Sequence, residues 1–115
     1  MKILVCGGRD YDDKNAVFSK LDALQQEEQN FSYIIHGGAS GADNLAHEYS
    51  IIREVKSVCF PAQWSKFGRA AGPIRNKQML DIAKPDLVVA FPGGRGTKNM
   101  ITLANQYNIK TIIVS

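Results

Sequence analysis

Short apolar runs alternate with longer amphipathic stretches along the whole chain. Five of these runs are predicted to be strands, at residues 2–6, 32–36, 56–60, 86–91 and 110–114. Between them, apolar residues recur at helical spacing, as at Val17, Leu21 and Leu24. Strands that are nearly all apolar are covered on both faces, which is typical of parallel sheets. The pattern therefore predicts strict βαβ alternation and an α/β fold.

Four helices are predicted between the strands. They cover residues 14–28, a stretch starting near Gly41, a stretch opened by Pro73 and ending before Pro85, and residues 97–106. Asp12 or Asp13 is placed to cap the first helix. In the second, Leu45, Tyr49 and Ile52 form the apolar stripe, and in the last the stripe includes Met100. The segment PAQWSKFGRAAG, which precedes the third helix, is expected to be irregular.

Three glycine-rich turns each follow a predicted strand and precede a predicted helix. They are CGGRDY (6–11), HGGASGAD (36–43) and FPGGRGT (91–97). In parallel α/β folds such turns lie along one edge of the sheet, where backbone N–H groups and helix N-termini hold anions. The turns therefore predict a ligand that carries phosphate. The last turn is not a Walker loop, because no GK[ST] follows it.

The turns also bear on the order of the strands. In the order 3-2-1-4-5, the strands that precede the glycine turns are neighbours, and all three turns meet at the switch point. The flavodoxin-like order 2-1-3-4-5 would place the glycine-poor turn FPAQW between the first and the last. Turn chemistry favours the first order. We therefore predict one domain over residues 1–115, built on a doubly wound parallel sheet of five strands.

Candidate ligand-binding residues come from the three turns and from the helix that Pro73 opens. They are Gly7, Gly8, Arg9, Asp10, Tyr11, Gly37, Gly38, Ser40, Gly41, Asp43, Arg75, Asn76, Pro92, Gly93, Gly94, Arg95, Gly96 and Thr97. Glycine lets a backbone approach a phosphate closely. Each turn also has a purely structural interpretation, as a tight βα connection with its helix cap.

Several side chains in these turns have a specific expected role. Arg9 is expected to meet a phosphate and Tyr11 to stack on a base. Ser40 reaches a phosphate or starts its helix, whereas Asp43 accepts from a ribose hydroxyl or serves as a first-turn acid. Thr97 is expected to cap the last helix and to donate its hydroxyl to a phosphate oxygen.

The histidines and cysteines indicate no metal chemistry. His36 ends a buried strand and is expected to be a hydrogen-bonded core residue, while His47 is expected to be exposed. Cys6 and Cys59 lie in apolar runs and are expected to be buried, inert thiols. Since their spacing matches no zinc site, we expect neither a metal nor a cofactor.

Charge and composition suit a small anionic ligand. The 115 residues carry a net charge of +3 and a sequence pI of about 9.0, with no run of five basic residues. The basic and aromatic stretch 64–77 has two interpretations, a nucleic-acid surface or a wall of the ligand pocket with Arg75 facing an anion and Trp64 partly in the core. No apolar run reaches membrane-spanning length and MKILVCGG is too short for a signal peptide, so the cytoplasm is expected.

The succession GGRDY, HGGASGAD, FPAQW, GRAAGPIRNKQML and PDLVVAFPGGRGT resembles the YspA-like branch of the SLOG superfamily. That superfamily includes the LOG cytokinin-activating enzymes, the DNA-uptake protein DprA and YpsA-type proteins. The resemblance spans nearly the whole chain. It implies a Rossmann-like fold that binds a nucleotide or a nucleotide-derived molecule at the glycine-rich edge, and a homodimer or larger homo-oligomer.

The chain departs from the LOG enzymes, which cleave the N-glycosidic bond of a nucleoside monophosphate. Their pattern is PGGxGTxxE with an Arg-Lys pair on the preceding helix. Arg75 matches that arginine, but Asn76 replaces the lysine and Met100 stands at the position of the glutamate. An N-glycosidase needs a carboxylate to activate water or to stabilise an oxocarbenium ion. Asp10 and Asp43 are the only acids in the turns that could substitute.

Three functions follow, in order of preference. The first is a binding protein, a sensor or a sequestering protein, for a nucleotide or nucleotide-derived signal. The second is a LOG-like phosphoribohydrolase that uses Arg75 with Asp43 or Asp10. The third is single-stranded nucleic-acid binding by analogy with DprA, which the modest net charge of +3 disfavours.

Overall fold

Five parallel strands form one sheet at the centre of the molecule, as seen in a computed structural model that describes residues 1–115. The strands are β1 (Lys2–Cys6), β2 (Tyr33–His36), β3 (Lys56–Cys59), β4 (Leu87–Ala90) and β5 (Lys110–Ile113). Every neighbouring pair is parallel, and the order is β3-β2-β1-β4-β5. The predicted Rossmann-like α/β class and strand order are confirmed. No helix is long and apolar enough to cross a membrane.

Five helices flank the sheet. They are α1 (Lys14–Glu27), α2 (Ala42–Ile52), α3 (Trp64–Phe67), α4 (Ala71–Gln78) and α5 (Arg95–Gln106). A 3₁₀ turn (Gly68–Ala70) joins α3 to α4, and a π-helical turn (Met79–Ala83) extends α4. The segment expected to be irregular is therefore largely helical. Pro73 does not open α4 but lies within its first turn, where the missing N–H of proline is harmless.

Two helix starts test the predicted caps. At α1, the Asp13 carboxylate accepts from the Ala16 N–H at 3.0 Å, which confirms one of the two proposed caps. The expectation that Thr97 caps α5 is wrong. This helix already begins at Arg95, because the carbonyl of Gly94 accepts the first helical bond from Lys98, and no side chain caps it.

The core forms two layers, one on each face of the sheet. Ile3 and Val5 pack on one side with α1 and α2, while Leu4 and Cys6 pack on the other with Met100 of α5. Such alternation is what the pleat of a strand imposes. Ile52 was expected in the apolar stripe of α2, but it is half exposed because it lies at the helix end, beyond the residues that pack on the sheet.

The two cysteines have different environments. Cys6 is buried, and burial raises the pKa of its thiol to about 12, so the predicted inert thiol is confirmed there. The same prediction is wrong for Cys59, which is exposed. The reason is that β3 is an edge strand with no buried residue.

Candidate functional site

The three glycine turns meet at the backbone of Gly8. Its N–H donates to the carbonyl of Pro92 at 2.8 Å, and its carbonyl accepts from the N–H groups of Tyr11 (3.2 Å) and Ala42 (3.1 Å). One residue of the first turn thus holds the last turn and the start of α2. The predicted convergence is present, but the N–H of Gly8 is used within the protein.

Two other glycines allow this close packing. Gly41 has φ +76°, and a Cβ there would collide with the carbonyl oxygen of Gly8. A Cβ on Gly93 would lie 2.6 Å from the Gly8 nitrogen. These two glycines are therefore required by contacts between the turns.

The second turn supplies its own anion. One oxygen of the Asp43 carboxylate, Oδ2, accepts from the N–H groups of Gly37 (3.1 Å) and Ala39 (3.2 Å). The N–H of Gly38 donates to Nδ1 of His36 at 3.0 Å, and the Ser40 hydroxyl donates to the carbonyl of Arg9. An arriving phosphate would find these donors already engaged.

The third turn keeps its donors free. The N–H groups of Arg95, Gly96 and Thr97 have no partner in the chain, since the first helical bond of α5 comes from Lys98. A Cβ at Gly94 or Gly96 would meet nothing within 4 Å, so this side of the turn is open. The Thr97 hydroxyl also lacks a partner although its residue is only 7% exposed. This turn has the geometry of an anion site at a helix N-terminus.

A cavity of about 470 Å³ opens at this turn, and one of about 290 Å³ lies beside it. The predicted residues that line the larger cavity are Gly7, Gly8, Arg9, Asp43, Arg75, Asn76, Gly94, Arg95, Gly96 and Thr97. Those that line the smaller one are Arg9, Gly37, Gly38, Ser40 and Arg75. Asp10, Tyr11, Gly41, Pro92 and Gly93 line neither.

The aromatic residue at the cavities is Trp64. The ring of Tyr11, expected to stack on a base, packs instead on Phe91 with 5.5 Å between ring centroids. Trp64 is 47% exposed and lines both cavities, so it belongs to the pocket wall and not to the core. The Arg9 guanidinium lies 5.2 Å from the centre of the indole ring, a cation–π contact. Trp64 was missing from the predicted ligand-binding residues.

Arg75 lines both cavities. Its Nη1 donates to the carbonyl of Gly37 at 2.8 Å, and its Nε donates to Oδ1 of Asn76 at 3.0 Å. Burial lowers the pKa of the guanidinium, and the nearby Asp43 carboxylate opposes that shift. Even so, an arginine stays charged at neutral pH. Arg75 therefore adds a fixed positive charge to the walls of both cavities.

Asn76 connects α4 to the first turn of α5. Its Nδ2 donates to the carbonyl of Gly96 at 3.2 Å and to Oδ1 of Asn99 at 2.9 Å. The side chain is buried, and its own Oδ1 is occupied by Arg75. Asn76 thus positions the first turn of α5, which carries the free N–H groups. Its own uncharged amide is already hydrogen-bonded within the protein.

Asp43 is the only carboxylate that lines the larger cavity. The residue is only 7% exposed, and its Oδ1 has no hydrogen-bond partner. Burial raises the pKa of this carboxyl group, while the two turn N–H groups and Arg75 act in the opposite direction. Asp10, the other acidic candidate, is exposed and lies outside both cavities.

The residue at the position of the LOG glutamate, Met100, cannot take part in catalysis. Met100 is fully buried in the layer that also holds Leu4 and Val88. A carboxylate in this apolar layer would be strongly destabilising. Asp43 is consequently the remaining acid for any reaction in the larger cavity.

His36 is buried but only half satisfied. Because its Nδ1 accepts from Gly38, its Nε2 carries the proton, and this atom has no partner. The ring lies edge-on to that of His47, with 5.4 Å between the ring centroids. The expected hydrogen-bonded core histidine is confirmed at Nδ1 and wrong at Nε2, since no acceptor faces that atom. His47 is exposed, as predicted.

His36 makes the fold sensitive to mild acid. Burial, with the charges of His47 and Arg75, lowers its pKa from 6.5 to about 4. The unfolded chain takes up a proton below pH 6.5 and the folded chain does not, so stability is full above pH 6.5 and falls towards pH 4. We expect the free energy of unfolding to drop by about 2–3 kcal/mol across this interval.

Urea denaturation at a series of pH values measures this drop. The matched variant is His36→Asn, in which the amide oxygen takes the place of Nδ1 as acceptor for Gly38. The variant is expected to lose the histidine-specific part of the pH dependence. Parallel pH profiles for the two proteins would contradict the assignment.

Comparison with known proteins agrees with the resemblance seen in the turns. The model of the YspA, cpYpsA-related SLOG family matches residues 1–67, which include the first two glycine turns and Trp64. The chain is also similar to the Gene 61 protein of Mycobacterium phage D29. The two are 33% identical over an alignment 121 positions long, which covers 96% of this chain and 94% of the phage protein. With these matches and the observed strand order, the chain belongs to the YspA, cpYpsA-related SLOG family.

Proposed function

We propose that the protein binds a nucleotide or a nucleotide-derived small molecule, as a sensor or a sequestering protein, with a phosphate on the first turn of α5. The observation that carries this proposal is the group of three unpartnered N–H groups at Arg95, Gly96 and Thr97, three residues that line the larger cavity. Aligned backbone dipoles and free N–H donors favour an anion at such a helix start. Membership of the SLOG family supports a nucleotide-related ligand.

The rest of the larger cavity suits a nucleoside. Its volume of about 470 Å³ lies within the range of small-molecule sites. Trp64 provides a face on which a base can stack, and such stacking is worth about 1–3 kcal/mol. The free Oδ1 of Asp43 is an acceptor for a ribose hydroxyl.

A second function, hydrolysis of an N-glycosidic bond, is favoured by Asp43 alone. Its buried carboxyl group has a raised pKa and is the only acid that lines the larger cavity. However, the acid position of the LOG pattern is the buried Met100. A partner acid for this carboxylate is absent from the cavity, so we prefer binding without turnover.

Calorimetry against nucleoside mono-, di- and cyclic phosphates, NAD and ADP-ribose tests the proposal. We expect saturable binding of at least one compound, with one molecule bound per chain and no free base released on chromatography. Absence of binding across the whole panel would contradict a nucleotide ligand. Release of base that is lost in Asp43→Asn would establish the hydrolase instead, and salt-dependent binding of oligonucleotides alone would favour the nucleic-acid function.

A further inference from the structure

The arginines of this chain are concentrated at one place. The sequence contains five arginines and nine lysines. Arg9, Arg69, Arg75 and Arg95 all line the larger cavity, whereas no lysine does. The fifth, Arg53, is engaged elsewhere, since its Nε and Nη2 donate to the Asp22 carboxylate at 3.0 and 2.9 Å. All basic residues that line this cavity are thus arginines. The planar guanidinium group donates two parallel hydrogen bonds and so suits the oxygens of a phosphate.

Three of these arginines have no partner of opposite charge. Arg9, Arg69 and Arg95 are exposed and make no hydrogen bond or ion pair through their guanidinium groups. They come from three separate segments, the first turn, the 3₁₀ turn and the start of α5. Only Asp43 opposes them, so positive side chains outnumber negative ones four to one.

One phosphate does not balance this charge. A phosphate monoester carries about −1.5 to −2 at pH 7, and the free N–H groups at Arg95, Gly96 and Thr97 already provide one phosphate site. Arg9 also lines the smaller cavity of about 290 Å³, as do Trp64 and Arg75. The two cavities therefore share a wall along which an extended anionic group can lie.

We propose that the ligand carries at least two linked phosphates, as in a nucleoside 5′-diphosphate or a longer derivative, with one phosphate on the first turn of α5 and the next between Arg9 and Arg69. This inference rests on the proposed function and adds the number of phosphates. The Thr97 hydroxyl, on a residue that is buried, supplies a further free donor to the first phosphate. The exposed guanidinium groups of Arg9 and Arg69 hold the second.

The test compares affinities for nucleoside 5′-mono-, di- and triphosphates of the four common bases, with ADP-ribose and inorganic diphosphate. Trp64 is the only tryptophan of the chain, so its fluorescence reports binding without a label. We expect the diphosphate of the preferred base to bind at least about tenfold more tightly than its monophosphate. Arg69→Ala is expected to remove most of this preference, because it deletes one of the two guanidinium groups that hold the second phosphate.

Lys98→Ala is the matched control, because it removes one exposed positive charge of α5 that does not line the cavity. It should preserve the preference. Equal affinity for mono- and diphosphates, or an undiminished preference in Arg69→Ala, would overturn this inference and leave the proposed function standing. If no phosphate compound binds, both fail. If inorganic diphosphate binds as tightly as any nucleotide, the inference of two linked phosphates is supported. The proposal that the ligand also contains a nucleoside is then contradicted.

Discussion

Replacing Gly96 with aspartate is expected to weaken ligand binding severely while leaving the fold at least as stable. Gly96 lies in the first turn of α5, and a side chain there meets no other atom within 4 Å. A carboxylate in this turn interacts favourably with the helix dipole and stabilises the helix by about 0.3–1 kcal/mol. The same carboxylate occupies the place of the phosphate and repels it. We expect affinity for the tightest phosphate ligand to fall by about 100-fold or more.

Gly96→Asn is the control for this change. Asparagine has nearly the same size as aspartate but no charge, so it separates repulsion from obstruction. We expect it to bind with an affinity between those of the wild type and Gly96→Asp. Thermal unfolding measures the stability of both variants, and calorimetry measures binding. If Gly96→Asp binds the ligand with wild-type affinity, the assignment of the phosphate site to the first turn of α5 is wrong.

The largest effect on stability is expected for Gly41→Ala. Gly41 has φ +76° and ψ −129°, a conformation that essentially only glycine adopts, and alanine there costs about 1–3 kcal/mol. Its Cβ also collides with the carbonyl oxygen of Gly8, the atom that accepts from Tyr11 and Ala42. Backbone atoms cannot give way as a flexible side chain does, so the contact adds a further about 1–3 kcal/mol. Together we expect a loss of about 2–6 kcal/mol in the free energy of unfolding.

Gly68→Ala isolates the contribution of the backbone conformation. Gly68 has φ +58°, but a Cβ there would meet nothing within 4 Å. Since its ψ of −133° is close to that of Gly41, we expect this variant to lose only the backbone cost of about 1–3 kcal/mol. Urea denaturation followed by circular dichroism compares the two. A difference of less than 1 kcal/mol between them would show that the turns separate easily, against the contacts described around Gly8.

The fold was readable from the sequence because its signals are local and repeated. Apolar runs of strand length, separated by amphipathic stretches, predicted all five strands, and the glycine turns after the first, second and fourth selected the observed order. The short helix α3 was missed because four residues with no buried position give no periodic pattern. The exposed Cys59 was missed because an edge strand carries the same residue types as a central one.

The site was only partly readable. Residue types and spacing brought the three turns together, but they could not show which N–H groups stay free. That depends on hydrogen bonds between distant residues, such as Gly8 with Pro92 and Asp43 with Gly37. The predicted ligand-binding residues do not include Trp64 and Arg69, because their place in the wall depends on how α3 and the following 3₁₀ turn pack beside the cavity. The accumulation of arginines, in contrast, is visible only once the cavity is known.

The hydrogen bonds at Gly8 give the pocket two parts that differ in how well they tolerate substitution. The three glycine turns tolerate it poorly, and residues 61–70 tolerate it well. Changes in any one glycine turn disturb the other two, because the backbone N–H and C=O of the single residue Gly8 connect all three. Residues 61–70 include no buried residue, yet they supply Trp64 and Arg69 to the cavity. Ligand preference can therefore be re-engineered by exchanging this one segment between relatives, on a platform that stays unchanged.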